Sequence, residues 1–271
     1  MKMFRAIRHF FCPGRTVEPL VSVIVTSYNY ERYISQTLDS LLSQTYRNFE
    51  VVVVDDGSAD GSVNLIASYA SSYANIRLLT HEGGVNRGLI ASMRLALKNA
   101  RGEYVAFCES DDYWSTDHLE QLVACINRHR DAVLISNHIQ CFGDEDAVKV
   151  RQAYADYVYN RLKSGANRID LTRNQSQQLI PTFSCVAIRR DVIEGLNFDC
   201  PVEAWTDFWI YRQIEKDYPL YYIRRKLTFW RQHESLNGEQ SQGDFDEKMN
   251  VFLAASNSLL NIPDEAKSPK R

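Results

Sequence analysis

Two adjacent carboxylates, Asp111 and Asp112, stand between the apolar run Val105-Ala-Phe-Cys108 and the aromatic pair Tyr113-Trp114. Such a pair suits a hard divalent cation, which takes carboxylate oxygen and bridges to substrate phosphates. Taken alone, Asp-Asp is more often a solvated acidic turn. Its place in the chain changes that balance. Tyr104–Phe107 reads as a buried strand, and ligands of open α/β sheets sit beyond the carboxyl ends of the strands. A β-branched strand at 21–27 ends in Thr26-Ser27, and a second at 49–54 runs into Asp55-Asp56-Gly57-Ser58. Asp and Gly also make ordinary turns. Three polar strand ends on one sheet edge, however, describe a binding crevice.

The intervening residues supply the supports. Ile34, Leu38, Leu41 and Leu42 recur at helical spacing over 33–43. Asp60 caps a helix over 61–73, a short strand covers 76–80, and further helices cover 89–100 and roughly 117–130, the last capped by Thr116 or Asp117. A strand at 132–139 closes this part. Strands alternating with helices of this length predict a parallel sheet covered on both faces. Residues 81–88 form a Gly-containing loop without Walker or dinucleotide-fingerprint spacing. Residues 141–178 are polar and without clean periodicity. Beyond them we expect a strand at 182–189, short helix at 190–195, helix at 205–217, one or two strands at 220–230, and a closing helix with Phe245, Met249, Phe252, Leu253, Leu259 and Leu260 near one face. Residues 263–271 read as a disordered tail.

Composition narrows the function classes. The 271 residues are 45% hydrophobic and 24% charged, which suits one large domain or one domain with a subdomain. A net charge of −3 offers no basic field for nucleic acid. The six cysteines show neither C-x-x-C nor zinc spacing and read as small hydrophobes in a reducing cytosol. No run approaches the roughly 20 apolar residues that span a bilayer. Residues 1–11 are basic and aromatic, with Arg5 and Arg8 interrupting any signal-peptide core. They read either as an amphipathic helix on anionic lipid or a partner, or as a frayed or locally packed terminus. The second is favoured, because so short a segment buries little apolar area. The expected location is the cytoplasm, with peripheral contact at the cytoplasmic face of a membrane as the open alternative.

Five segments in order carry a family resemblance: Val21-Ser-Val-Ile-Val-Thr-Ser-Tyr-Asn29, Leu41-Leu-Ser-Gln-Thr-Tyr46, Phe49-Glu-Val-Val-Val-Val-Asp-Asp-Gly-Ser58, Ala100-Arg-Gly-Glu-Tyr104 and Ser110-Asp-Asp112. The chain resembles the family 2 inverting glycosyltransferases of GT-A fold, specifically over residues 20–140 and at scattered positions over 182–236. The resemblance implies a mainly parallel, Rossmann-like sheet flanked by helices, with a C-terminal acceptor-side region. Four parts follow: an N-terminal extension (1–19), a nucleotide-sugar-binding half (20–140), an acceptor-binding and catalytic-base half (141–240), and a C-terminal helix and tail (241–271).

The resemblance also implies roles. Thr26, with Tyr28 and Asn29 beside it, lines the base and ribose pocket. Asp56 accepts the imide N–H of uracil or thymine, since an ionised carboxylate only accepts. Ser110-Asp111-Asp112 is the DxD-type motif, with Asp112 the direct ligand of Mg²⁺ or Mn²⁺ and Asp111 its neighbour behind. Asp207 is the base that deprotonates the acceptor hydroxyl, with Glu203 its rival and helix capping its ordinary reading. His233, in Trp230-Arg-Gln-His-Glu-Ser235, completes the metal site or binds the diphosphate, with Arg231 nearby. Trp205 is a candidate sugar platform, while Phe208 and Trp209 read as core. Where the family carries Ala-Arg-Asn, this chain has Ser92-Met93-Arg94, and Arg87 is the candidate to replace the lost contact.

The implied activity is metal-dependent, inverting transfer of one sugar from a UDP- or dTDP-linked donor to a saccharide or lipid-linked saccharide, in bacterial surface polysaccharide or glycolipid synthesis. The absence of a Gln-x-x-Arg-Trp signature favours single addition over processive extrusion. The alternative is a non-catalytic nucleotide-sugar-binding module of a larger assembly; Asp56, Asp112 and Asp207 together argue against it. A nucleotidyltransferase or dehydrogenase is disfavoured because no Gly-rich fingerprint follows Ser27, although fold alone does not define function.

Overall fold

The computed structural model describes residues 16–169, 178–233 and 242–262, with side chains 242–244 excepted. Residues 1–11 and the tail at 263–271, with the readings attached to them, lie outside the described residues.

Among the described residues, one nine-stranded sheet carries the fold. Its first half is parallel: β1 (Val21–Ser27) lies between β2 (Phe49–Asp55) and β4 (Tyr104–Phe107), and β3 (Ile76–Thr80) adds outside β2. The second half adds antiparallel neighbours to this mainly parallel sheet. β8 (Val186–Arg189) inserts antiparallel between β4 and β6 (Leu134–Gly143), and β9 (Leu220–Gln232) then pairs parallel with β6. Two short strands, β5 (Tyr113–Trp114) and β7 (Gly165–Asn167), pair antiparallel with β9. β5 was not expected; Tyr113 stacks on Phe229 across this pair with ring centroids 4.5 Å apart.

Strand alternation sorts the core onto two faces. Val21, Val23, Val25, Val51, Val53 and Ala106 meet α1 (Ile34–Leu42), α2 (Ser62–Ser72) and α4 (His118–Arg128). Ile24, Val52, Val54, Val105 and Phe107 meet the opposite layer, which includes α3 (Leu89–Asn99), α5 (Glu145–Tyr159) and α7 (Thr206–Glu215). Thr26 and Glu109 continue the alternation of the second face, so their side chains emerge on the α3–α7 side of the sheet edge.

The helix α5 corrects the irregular reading of 141–178. Asp144 caps it by accepting from the Ala147 N–H at 2.9 Å. Its buried side is Ala155, Val158 and Tyr159, while Val150, Tyr154 and Tyr157 remain exposed on other faces. Apolar residues on more than one face blur the 3.6-residue period that sequence reading depends on. The expected strand at 182–189 is also divided. Residues Phe183–Cys185 form a 3₁₀ turn, because the Thr182 hydroxyl accepts from the Ser184 N–H at 3.2 Å, and only Val186–Arg189 pairs, with the short α6 (Arg190–Ile193) directly after it.

α7 is clamped from behind by α8 (Gln242–Leu260). Phe252 is fully buried against Trp205, Phe208 and Trp209, and the buried Arg212 donates from Nε to Ser256 Oγ at 2.7 Å. This packing fixes the N-terminal turn of α7, where Asp207 sits. Among the described residues no helix is long and apolar enough to cross a membrane.

Candidate active site

The carboxyl ends of β1, β2 and β4 and the start of α7 surround one open cleft of about 580 Å³. That size lies within the range of small-molecule sites. The register explains the convergence: Ser27 lies beside Asp55, and Ile24 beside Phe107, so the residues following each strand emerge at one level. Thr26, Tyr28, Asp56, Ser110, Asp111 and Asp207 all line the cleft. Asn29 and Arg87 do not. Asn29 has φ of 61° and accepts the Ala59 N–H at 2.8 Å, so it shapes the loop after β1. Arg87 contributes its backbone, and of Ser92-Met93-Arg94 only Ser92 reaches the cleft; Arg94 pairs with Asp199 at 2.7 Å.

Asp56 organises one wall of the cleft. Its Oδ1 and Oδ2 accept the backbone N–H groups of Arg87 and Gly88 at 2.8 and 2.9 Å, and His81 Nε2 lies 3.3 Å away. A carboxylate has about four lone-pair sites, so these bonds leave acceptor capacity for a ligand. The loop closes directly on Gly57, whose φ is +77°: a Cβ there would lie 2.6 Å from the Asn86 N and 2.7 Å from the Val85 carbonyl carbon. Only glycine fits this approach without strain.

The acidic end is built differently from the sequence expectation. Asp112, expected as the direct metal ligand, is withdrawn from the cleft. It is 1% exposed, and its Oδ1 accepts the Arg231 N–H at 2.8 Å. Asp111 is the residue that faces the cleft, with its Oδ2 3.0 Å from His233 Nε2. The physical reason is the tight turn after β4, in which the Asp112 N–H bonds to the Glu109 carbonyl at 3.1 Å and turns Asp112 inward toward β9. Arg231 locks this arrangement: its Nε donates to the Asp111 carbonyl at 2.8 Å and its guanidinium lies 4.5 Å from the centre of the Tyr33 ring.

Glu109 completes an acidic trio and receives a hydrogen bond from the Thr182 hydroxyl. Burial, reinforced by Asp111, raises its pKa to about 7. Burial also raises Asp111, although His233 and Arg231 oppose the shift, and raises Asp112 well above the usual carboxylate range. Three crowded carboxyl groups with little compensating charge disfavour ionisation. A bound cation would reverse that balance. Asp111 Oδ2 and His233 Nε2, hydrogen-bonded to each other at 3.0 Å, are the oxygen and nitrogen donors that would hold one. Among the described residues no group of three or more His, Cys, Asp and Glu side chains is disposed to hold a metal ion. A cation here would therefore draw its remaining ligands from phosphate oxygens and water, the usual pattern for Mg²⁺ at a nucleotide.

Asp207 occupies another part of the wall. Its Oδ1 accepts the Phe208 N–H at 2.6 Å and its Oδ2 accepts from Gln178 Nε2 at 2.5 Å. Burial nevertheless pushes its pKa up to about 7, where a general base works best near neutral pH. The rival Glu203 is exposed at the rim and accepts the Leu89 N–H at 3.3 Å. Trp205, the candidate sugar platform, is half-buried, and its ring packs edge-on against Phe245 and Phe252. Phe208 and Trp209 are core, as expected. The sequence reading missed Tyr30, Arg151, Gln178 and Thr182; Arg151 in particular lies on the helix that periodicity did not reveal.

The fold and its cleft define a GT-A type nucleotide-sugar transferase architecture. The S. aureus TarS 1–349 structure in complex with UDP-GlcNAc superposes with a TM-score of 0.65 and 23% identity, covering 87% of this chain and 66% of that one. Glucosyl-3-phosphoglycerate synthase from Mycobacterium tuberculosis, solved with Mn²⁺, UDP and glucosyl-3-phosphoglycerate, gives a TM-score of 0.57 at 18% identity, covering 91% and 82%. The sequence model of glycosyl transferase family 2 matches residues 22–196, and the chain belongs to that family. The glycosyltransferase GlyA of Streptococcus pneumoniae serotype 4 is 30% identical over 187 residues, 68% of this chain and 26% of that protein. The Escherichia coli UDP-Glc:alpha-D-GlcNAc-diphosphoundecaprenol beta-1,3-glucosyltransferase WfgD is 31% identical over 172 residues, 64% of this chain and 66% of that protein. The chain spans 26%, 46% and 40% of the length of three curated relatives that it matches.

Proposed function

We propose that this chain is a metal-dependent, inverting glycosyltransferase. It moves a single sugar from a nucleoside diphosphate, with UDP or dTDP favoured, to the hydroxyl of a saccharide or lipid-linked saccharide in bacterial surface polysaccharide or glycolipid synthesis. The observation that carries this reading is the placement of Asp207, with its raised pKa, in the same cleft as Ser110 and Asp111. Residues 20–140 form the donor half and 141–240 the acceptor half. The complex of TarS with UDP-GlcNAc and the glucosyl donor and lipid diphosphate in the name of WfgD support the choice of substrates.

Thr26, Tyr28 and Asp56 hold the base and ribose, with Asp56 accepting an imide N–H through its unused lone pairs. Asp111 and His233 would hold a Mg²⁺ or Mn²⁺ ion, which supplies positive charge for the departing diphosphate. Asp207 Oδ takes the proton of the acceptor hydroxyl as that oxygen forms its bond to the anomeric carbon. The bond from the same carbon to the diphosphate oxygen breaks on the opposite side, so the configuration inverts. Gln178 and the Phe208 N–H orient the Asp207 carboxylate and favour its charged form.

The test is thermal unfolding with UDP, dTDP and GDP, each with and without Mn²⁺. UDP or dTDP with Mn²⁺ is expected to stabilise the protein by about 2.7 kcal/mol at a hundredfold excess over Kd. Absence of metal-dependent stabilisation by all three nucleotides refutes the donor site.

A further inference from the structure

The charge lining of the cleft is unbalanced. Asp56, Glu109, Asp111, Glu203 and Asp207 contribute carboxyl groups, and Arg151 is the guanidinium among the described lining residues. Arg151 pairs with none of these acids. Among the described residues it makes no hydrogen bond or ion pair; its contact is with the face of Trp230, 5.7 Å from the ring centroid. Stacking of this kind orients a guanidinium while leaving its five N–H donors unspent. An exposed arginine beside several carboxylates that pairs with none of them is available to an anion entering the cleft.

The position of α5 places Arg151 on the acceptor side. Tyr154, three residues further along the helix, donates its hydroxyl to the Gln178 carbonyl at 2.6 Å. Gln178 in turn donates Nε2 to Asp207 Oδ2 at 2.5 Å. The helix carrying Arg151 is therefore joined by two hydrogen bonds to the residue that receives the acceptor proton. The residues assigned to the nucleotide come instead from the ends of β1 and β2. Trp230 adds an aromatic surface, on which the apolar face of a sugar ring stacks.

We propose that Arg151 and Trp230 form an acceptor subsite for a sugar that carries an anionic group, a phosphate or a carboxylate. Arg151 is a specificity-determining residue there, offering the planar fork that matches either anion with two parallel hydrogen bonds. The assignment to the acceptor rests on the transferase reading above, whereas the anion site itself does not.

Binding measurements on the full chain separate the two. Glucose 1-phosphate, glucuronate and glucose are titrated by calorimetry into the wild-type protein, Arg151→Met and Arg151→Lys, with and without saturating UDP and Mn²⁺. UDP with Mn²⁺ is titrated separately into each protein. Wild type is expected to bind at least one of the two anionic sugars in the presence of UDP, and glucose at least tenfold more weakly. Arg151→Met is expected to weaken that anionic sugar about tenfold to a hundredfold, the range for a charge-assisted hydrogen bond, with UDP affinity unchanged. Arg151→Lys is expected to fall between, since lysine keeps the charge and loses the fork. Binding of the phosphate but not the carboxylate, or the reverse, identifies the source of the anion. Three results overturn the subsite: neither anionic sugar binds wild type, Arg151→Met leaves their binding unchanged, or Arg151→Met weakens UDP as much as the sugar. Failure of UDP to bind any of the proteins removes the transferase reading instead, and the titrations without nucleotide still read the anion site.

Discussion

Replacing Asp207 with Asn separates the cost of this buried carboxylate from its use. Its pKa of about 7 stands roughly three units above the 3.8 of a free aspartate, and each unit corresponds to 1.36 kcal/mol. The sign follows from linkage. The fold prefers the protonated form, so this group's contribution to stability is most favourable below about pH 4, declines as the pH rises toward 7, and is level above it. The penalty at about pH 8 is at most about 4 kcal/mol. Asparagine has the same shape and carries no charge, and the Gln178 amide can turn to present its oxygen to the new NH₂ group. The variant is therefore expected to match wild type near pH 4 and exceed it by about 2–4 kcal/mol near pH 8. That gain is a rise of roughly 4–7 °C in Tm for a chain of this size. Thermal unfolding across this pH range, paired with an assay of nucleotide released from the sugar donor, reads both halves. Transfer is expected to fall by at least a hundredfold while UDP still binds. Equal stability of the two proteins at both pH values refutes the burial argument, and retained turnover removes Asp207 as the base.

The remaining predictions test the other walls of the cleft. Wild-type transfer at limiting substrate should rise as Asp207 deprotonates near pH 7; Gln178→Leu removes a donor to the charged form and should move that rise about one to two pH units higher, as a pH–rate profile would show. Asp111→Asn and His233→Ala should each abolish the Mn²⁺-dependent part of UDP stabilisation, while Asp112→Asn should retain it, because Asp111 lines the cleft with His233 Nε2 3.0 Å from its carboxylate, whereas Asp112 does not line it. Loss with Asp112→Asn alone would restore that residue as the direct ligand. Gly57→Ala should cost about 1–3 kcal/mol, measured by urea unfolding, because its Cβ would strike the loop at Val85 and Asn86.

Residues 20–140 were legible in the sequence because local signals there agree with the tertiary outcome. Strands such as Phe49–Asp55 are β-branched and buried on both faces, and helices such as Ile34–Leu42 bury one stripe, so period and propensity identify both. The strand ends carrying Thr26, Asp56 and Asp111 follow from that alternation. Legibility fell after residue 140, where partners distant in sequence decide the structure. α5 bears apolar side chains on more than one face, and the strand expected over 182–189 is shortened to β8 by a preceding turn whose Thr182 belongs to the cleft.

The sequence by itself determined that an acidic motif follows a buried strand and that Asp207 lies near the start of a helix. It did not determine which acid of the motif faces the cleft. Asp111 and Asp112 differ by one residue, and their side chains separate only because the turn after β4 sends one into the cleft and the other toward the Arg231 backbone. The same holds for Asp207: its identity is local, but its raised pKa comes from burial in the assembled fold, which outweighs the opposing hydrogen bonds from the Phe208 N–H and Gln178. Hydrophobic period is a property of neighbouring residues along the chain. Desolvation and side-chain direction depend on what lies across space, and only the assembled sheet and helices supply that.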